Sequence, residues 1–100
     1  MGGVGVRFIT SASLGNARFV DLSSDGQEIS FSVFSSPVDS QIAIVDIKGT
    51  NLRMFGPGWT PQFSPNDKTL CFVRKESDFI HVYTMNAVNG SNLTQLTSGY

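Results

Sequence analysis

Phe63-Ser64-Pro65-Asn66-Asp67-Lys68-Thr69-Leu70-Cys71-Phe72-Val73 decides the fold, because a version of it occurs about 41 residues earlier. Ser23-Ser24-Asp25-Gly26-Gln27-Glu28-Ile29-Ser30-Phe31 lies over Ser64 to Phe72. Further on, Gly49-Thr50-Asn51-Leu52 lies over Gly90-Ser91-Asn92-Leu93, with one extra residue in the second copy. Identities are few, so the repeat rests on a recurring order of turns and strands. Asp25-Gly26 and Asn66-Asp67 read as tight turns, since Asn, Asp and Gly tolerate positive φ. Gly49 with Asn51, and Gly90 with Asn92, mark a second turn in each copy.

Each copy predicts four strands. A short segment, Arg18 to Ser23 or Thr60 to Ser64, leads into the first turn. The next strands, Glu28 to Phe34 and Thr69 to Lys75, are rich in β-branched and aromatic residues. Polar loops follow, then Gln41 to Ile47 or Phe79 to Asn86, the second turn, and Leu52 to Phe55 or Leu93 to Thr97. Four antiparallel strands joined by hairpins in about 41 residues match one β-propeller blade. Ile42-Ala43-Ile44-Val45 and Leu70-Cys71-Phe72-Val73 are apolar at successive positions, which predicts sheets covered on both faces. Cys71 is the single cysteine. In such a strand it is expected to be a buried small hydrophobe rather than a nucleophile.

The fold class expected is therefore all-β, with two four-stranded antiparallel blades. The first blade covers residues 17–57 and the second 58–100. Residues 1–16 form an extension in which Val4 to Thr10 reads as a strand, the outer strand of a preceding blade.

The ordered motifs resemble the TolB-type, WD-related propeller repeat. Phe63-Ser64-Pro65-Asn66-Asp67-Lys68, Leu70-Cys71-Phe72-Val73, His81-Val82-Tyr83-Thr84-Met85-Asn86 and Asn89-Gly90-Ser91-Asn92-Leu93 carry the resemblance, which extends over about residues 18 to 98. The first copy departs from it at Ser24, where the repeat has proline, and at Lys48-Gly49-Thr50-Asn51. The resemblance implies a propeller that is typically six-bladed, and a periplasmic setting. It also admits the propeller domain of a prolyl-oligopeptidase-type hydrolase. Two blades leave apolar faces open. Self-association of copies, or additional chain, is expected to complete the ring.

Composition narrows the function. Net charge is −1, and the 7 Lys and Arg residues are scattered without a basic stripe. This speaks against nucleic acid and acidic membrane surfaces as partners. No apolar run is long enough to insert into a membrane. Met1-Gly2-Gly3-Val4-Gly5-Val6-Arg7 lacks the basic start and apolar core of a signal peptide. Val6 stands where myristoylation wants Ser or Thr.

No catalytic, metal or cofactor site is expected. His81 is the single histidine and has no nearby second ligand. Ser64 and Ser91 lack a nucleophile elbow. Asp25 and Asp67 read as turn residues rather than calcium ligands. The Asn89 and Asn92 sequons coincide with the blade's own turn. Trp59, beside Pro57-Gly58 and Pro61 in the link between copies, is the one candidate for binding. The alternative for it is packing between blades. The function expected is a non-enzymatic scaffold for a protein or peptide partner. The rivals are the hydrolase propeller and a lectin-like ring, the latter suggested only by Trp59 and Tyr100.

Overall fold

The computed structural model describes residues 16–36 and 38–97. The strand expected at Val4 to Thr10 and the suggestion at Tyr100 lie outside these residues. The described chain is all-β. It forms strands β1 (Asn16–Leu22), β2 (Glu28–Phe34), β3 (Ser40–Asp46), β4 (Arg53–Pro57), β5 (Trp59–Phe63), β6 (Thr69–Glu76), β7 (Phe79–Asn86) and β8 (Thr94–Gln95). They make two four-stranded antiparallel meanders, β1-β2-β3-β4 and β5-β6-β7-β8. The last strand is shorter than the Leu93 to Thr97 expected.

The first turn of each sheet repeats nearly atom for atom. In one, Asp25 Oδ1 accepts from Gln27 N at 2.9 Å and from Ser23 Oγ at 2.7 Å. In the other, Asn66 Oδ1 accepts from Lys68 N at 3.0 Å and from Ser64 Oγ at 2.7 Å. Each is the Asx turn that Asp and Asn favour. The next residue has positive φ in both, 73° at Gly26 and 62° at Asp67. Gly49, Asn51, Gly90 and Asn92 also have positive φ in the second turns.

The innermost strands share a bulge that their sequences do not announce. Register shifts between Arg18 and Asp21 in β1, and between Trp59 and Gln62 in β5. Phe19 and Thr60, one repeat apart, take left-handed φ values of 58° and 56°. A bulge leaves backbone groups without ladder partners. Two buried serines of β2 meet those of β5. Ser32 Oγ accepts from Thr60 N at 3.0 Å, and Ser30 Oγ donates to the Pro61 carbonyl at 3.4 Å.

These serines lie on the face of the first sheet that stacks on the second. Beside them Ile42 and Ile44 of β3 pack against Leu70, Phe72, Tyr83, Met85 and Ala87, with Phe55 and Phe63 at the margin. Burial at the blade junction drives this stacking. The opposite face of the first sheet carries Ile29, Phe31, Val33, Ala43 and Val45, also buried. Side chains on both faces of the first sheet are thus buried, as its apolar run predicts.

The second sheet corrects that expectation. In β6, Leu70 and Phe72 are buried but Cys71 is exposed, as are Ile80 and Leu96 (each 58%). Cys71 is therefore not the buried hydrophobe expected. Strand pleating sends it away from the first sheet, onto a face that no second sheet of the described residues covers. Its apolar character fits a face made for a neighbour.

Candidate functional site

The blade junction has two ends. At the turn end, the Asp67 carboxylate crosses to the first sheet. Oδ1 accepts from Ser24 N at 2.8 Å, while Oδ2 accepts from Ser24 Oγ at 2.8 Å and Asp25 N at 3.1 Å. Donation from the Ser24 amide is the main cause that holds this carboxyl below the ordinary value of 3.8. The proton therefore binds the unfolded chain more readily. The resulting stability is present above pH 3.8 and is lost as pH falls through the lower, folded value. Asp67→Ala should accordingly be less stable than the parent at neutral pH, with the difference shrinking in acid. Urea denaturation at pH 7 and pH 3 checks this, and a gap that grows in acid contradicts it.

At the loop end, Gly56-Pro57-Gly58 carries the chain from β4 into β5. Gly58 has φ 143° and donates to the Ser40 carbonyl at 3.2 Å. A Cβ on it would lie 2.8 Å from Phe72 Cδ2, 2.9 Å from the Val73 carbonyl oxygen and 3.2 Å from Ile42 Cγ1. Glycine thus lets the link lie flat on the junction core. Arg74 fixes the same link. Its Nε donates to the Pro57 carbonyl at 3.0 Å, and its guanidinium lies 4.9 Å from the Tyr83 ring centroid and 5.6 Å from that of Phe72. The Tyr83 hydroxyl donates to Glu76 Oε1 at 2.6 Å, and this bond raises its pKa above the usual phenol value.

This end holds a cleft of about 510 Å³ reached by Ser35, Asp39, Gln41, Trp59, Arg74 and Lys75. A more apolar hollow of about 300 Å³ adjoins it, lined by Phe19, Phe34, Val38, Trp59 and Lys75. Phe19 and Phe34 touch as a tilted pair with centroids 6.2 Å apart, and Arg18 lies 5.4 Å from the Phe34 centroid. Trp59 is half-buried and makes no ring pair among the described residues. Lys75 makes no salt bridge among them. The arrangement can take an apolar group between aromatic walls and an anion at the rim. Trp59 is the only one of these residues to which the sequence points.

The residues weighed for chemistry stay apart. His81 is buried, with Nδ1 3.0 Å from Thr97 Oγ1 and its ring 6.4 Å from that of Phe79. Ser64 Oγ is engaged in its turn, accepting from Thr69 N at 3.1 Å. Asn89 Oδ1 accepts from Ser91 N at 3.0 Å within the second turn. Among the described residues, no three His, Cys, Asp or Glu side chains converge as metal ligands.

No family model and no curated protein matches the sequence. Solved structures do match the fold. A putative TolB from Agrobacterium tumefaciens shares 25% identity at a TM-score of 0.74, over 89% of this chain and 35% of its own. TolB from Acinetobacter baumannii shares 20% at a TM-score of 0.67, over 85% and 22%. An acylaminoacyl peptidase in complex with a chloromethyl ketone shares 11% at a TM-score of 0.73, over 92% and 15%. This chain spans about a third or less of each of them. The latter two likenesses carry the fold alone. Together with the two stacked meanders, their shared turns and their shared bulges, these likenesses show the chain to be two β-propeller blades, similar to those of the TolB structures.

Proposed function

We propose that the chain is a non-catalytic binding scaffold whose contact surface for a protein or peptide is the cleft around Trp59. The observation that carries this reading is the open hollow between Trp59 and the Phe19–Phe34 pair at the loop end of the blade junction. A large aromatic group such as Trp59, left unpaired beside a polar rim, is the usual anchor of a recognition surface. The satisfied, dispersed His81, Ser64 and Asp residues support a role without catalysis. The resemblance to TolB supports a periplasmic setting for such a scaffold. Selection of binders from a displayed random-peptide library tests the reading. Selected peptides should lose binding to the Trp59→Ala variant and perturb the fluorescence of Trp59, the single tryptophan. Binders indifferent to Trp59 would refute it.

The exposed face of the second sheet, bearing Cys71, Ile80 and Leu96, is the proposed seat of a further blade. Copies of the chain are the proposed source, three of them supplying six blades. Head-to-tail closure brings this face against the one bearing Ile29, Phe31 and Val45 in the next copy. Light scattering should find a mass three times the 10.8 kDa of the chain, with Cys71 protected from thiol reagents. A stable monomer with a reactive Cys71 excludes this route.

A further inference from the structure

The cleft around Trp59 also holds information about the chemistry of its occupant, on the reading that it is a binding site at all. Its two compartments differ in character. The inner hollow presents apolar surface from Phe19, Phe34, Val38 and Trp59. Phe19 is half exposed and Val38 is exposed in the described structure. A space of about 300 Å³ is suited to one large side chain, not to a folded domain or a long lipid chain.

The rim is positive. Arg74 is fixed by the Pro57 carbonyl and by the rings of Phe72 and Tyr83. Lys75, the next residue on β6, is exposed and has no ion-pair partner among the described residues. The nearby Asp39 is engaged locally, accepting from Ser36 Oγ at 3.2 Å. The cation bordering both compartments is therefore Lys75. Ser35 and Gln41 at the wall of the outer cleft offer hydrogen bonds that an extended backbone can use.

We infer that the cleft binds an extended acidic peptide segment, with one large apolar side chain inserted between Trp59 and the Phe19–Phe34 pair and a flanking carboxylate against Lys75. Burial of the apolar side chain supplies most of the affinity, and the exposed charge sets the preference of sign.

The test titrates the intact chain with three blocked tripeptides, Glu-Phe-Glu, Glu-Ala-Glu and Lys-Phe-Lys, and reads Trp59 fluorescence. Glu-Phe-Glu should bind about tenfold more tightly than Glu-Ala-Glu, the change expected for burying a large apolar side chain. It should bind about threefold more tightly than Lys-Phe-Lys, with the gap closing in high salt. Lys75→Glu, a change at an exposed position that leaves the core intact, should reverse the order of those two peptides. Equal binding of Glu-Phe-Glu and Lys-Phe-Lys, or an order unchanged by Lys75→Glu, overturns the acidic assignment while the cleft remains a peptide site. Equal binding of Glu-Phe-Glu and Glu-Ala-Glu overturns the apolar anchor. Silence of Trp59 toward all three peptides, joined to library binders that ignore Trp59→Ala, overturns the site itself.

Discussion

Phe72→Ala is expected to cost about 3–5 kcal/mol, roughly a fifth or more of the stability of an ordinary small domain. Phe72 is 1% exposed at the centre of the blade junction. It stacks on Tyr83 with centroids 5.8 Å apart at 15°, lies beneath Arg74, and meets Ile42 under the Gly58 link. Removing the ring leaves a cavity bounded by both sheets, and neither can close it without moving the other. Cys71, the adjacent residue in the strand, is the internal control. Cys71→Ser falls on the exposed face and should change stability by about 0.5 kcal/mol or less. Urea denaturation of the two variants checks the contrast. Similar losses would mean that the burial assigned to the two faces is wrong.

Gly58→Ala should cost about 3 kcal/mol by a different route. The native φ of 143° is one that a residue with a Cβ rarely adopts. The added methyl also meets the Val73 carbonyl oxygen at 2.9 Å and the Phe72 ring at 2.8 Å. The carbonyl belongs to the β6 ladder and cannot retreat without breaking it. Gly26→Ala separates the two causes. Gly26 also has positive φ, but nothing lies within 4 Å of a Cβ placed there. Its loss should be confined to the backbone contribution of about 1 kcal/mol. Thermal denaturation should show Gly58→Ala melting well below Gly26→Ala. Equal melting points would remove the close approach of the link to the core.

What the sequence conveys follows from how local each feature is. Turns are decided within four or five residues, so Asp25-Gly26 and Asn66-Asp67 announce them directly. The strands of high β propensity follow, and with them the two meanders. The bulges at Phe19 and Thr60 are different. Neither residue type favours left-handed φ; at Thr60 the conformation is supported by Ser32 of β2, and both positions fall where the register shifts. Only a comparison of Ser30 and Ser32 with their apolar surroundings hints that something polar must meet them. Cys71 lies exposed within an apolar run because such a run reports the surface a strand is suited to cover. It does not report whether the covering sheet is part of the chain.

The site was less visible still. Trp59 stands out in the sequence as the single tryptophan, in a Pro- and Gly-rich link. Phe19, Phe34, Val38 and Lys75 come from three other stretches of chain that meet only when the sheets stack. The Asp67 contact could have been suspected from the repeat itself. Asp67 stands where the first copy has Gly26, and Ser24 where the second has Pro65, which has neither amide hydrogen nor hydroxyl. Donor and acceptor are thus present once, at the junction between these two blades, and both are missing at the corresponding positions facing outward.

The central claim is that the two repeats stack as neighbouring blades. A double-mutant cycle between Ile42→Ala in the first sheet and Phe72→Ala in the second tests it most directly. Both side chains face the same point beneath Gly58. Stacked blades predict a coupling energy of about 1 kcal/mol or more. Losses that add to within about 0.3–0.5 kcal/mol would show the two sheets to be independent, and would contradict the account.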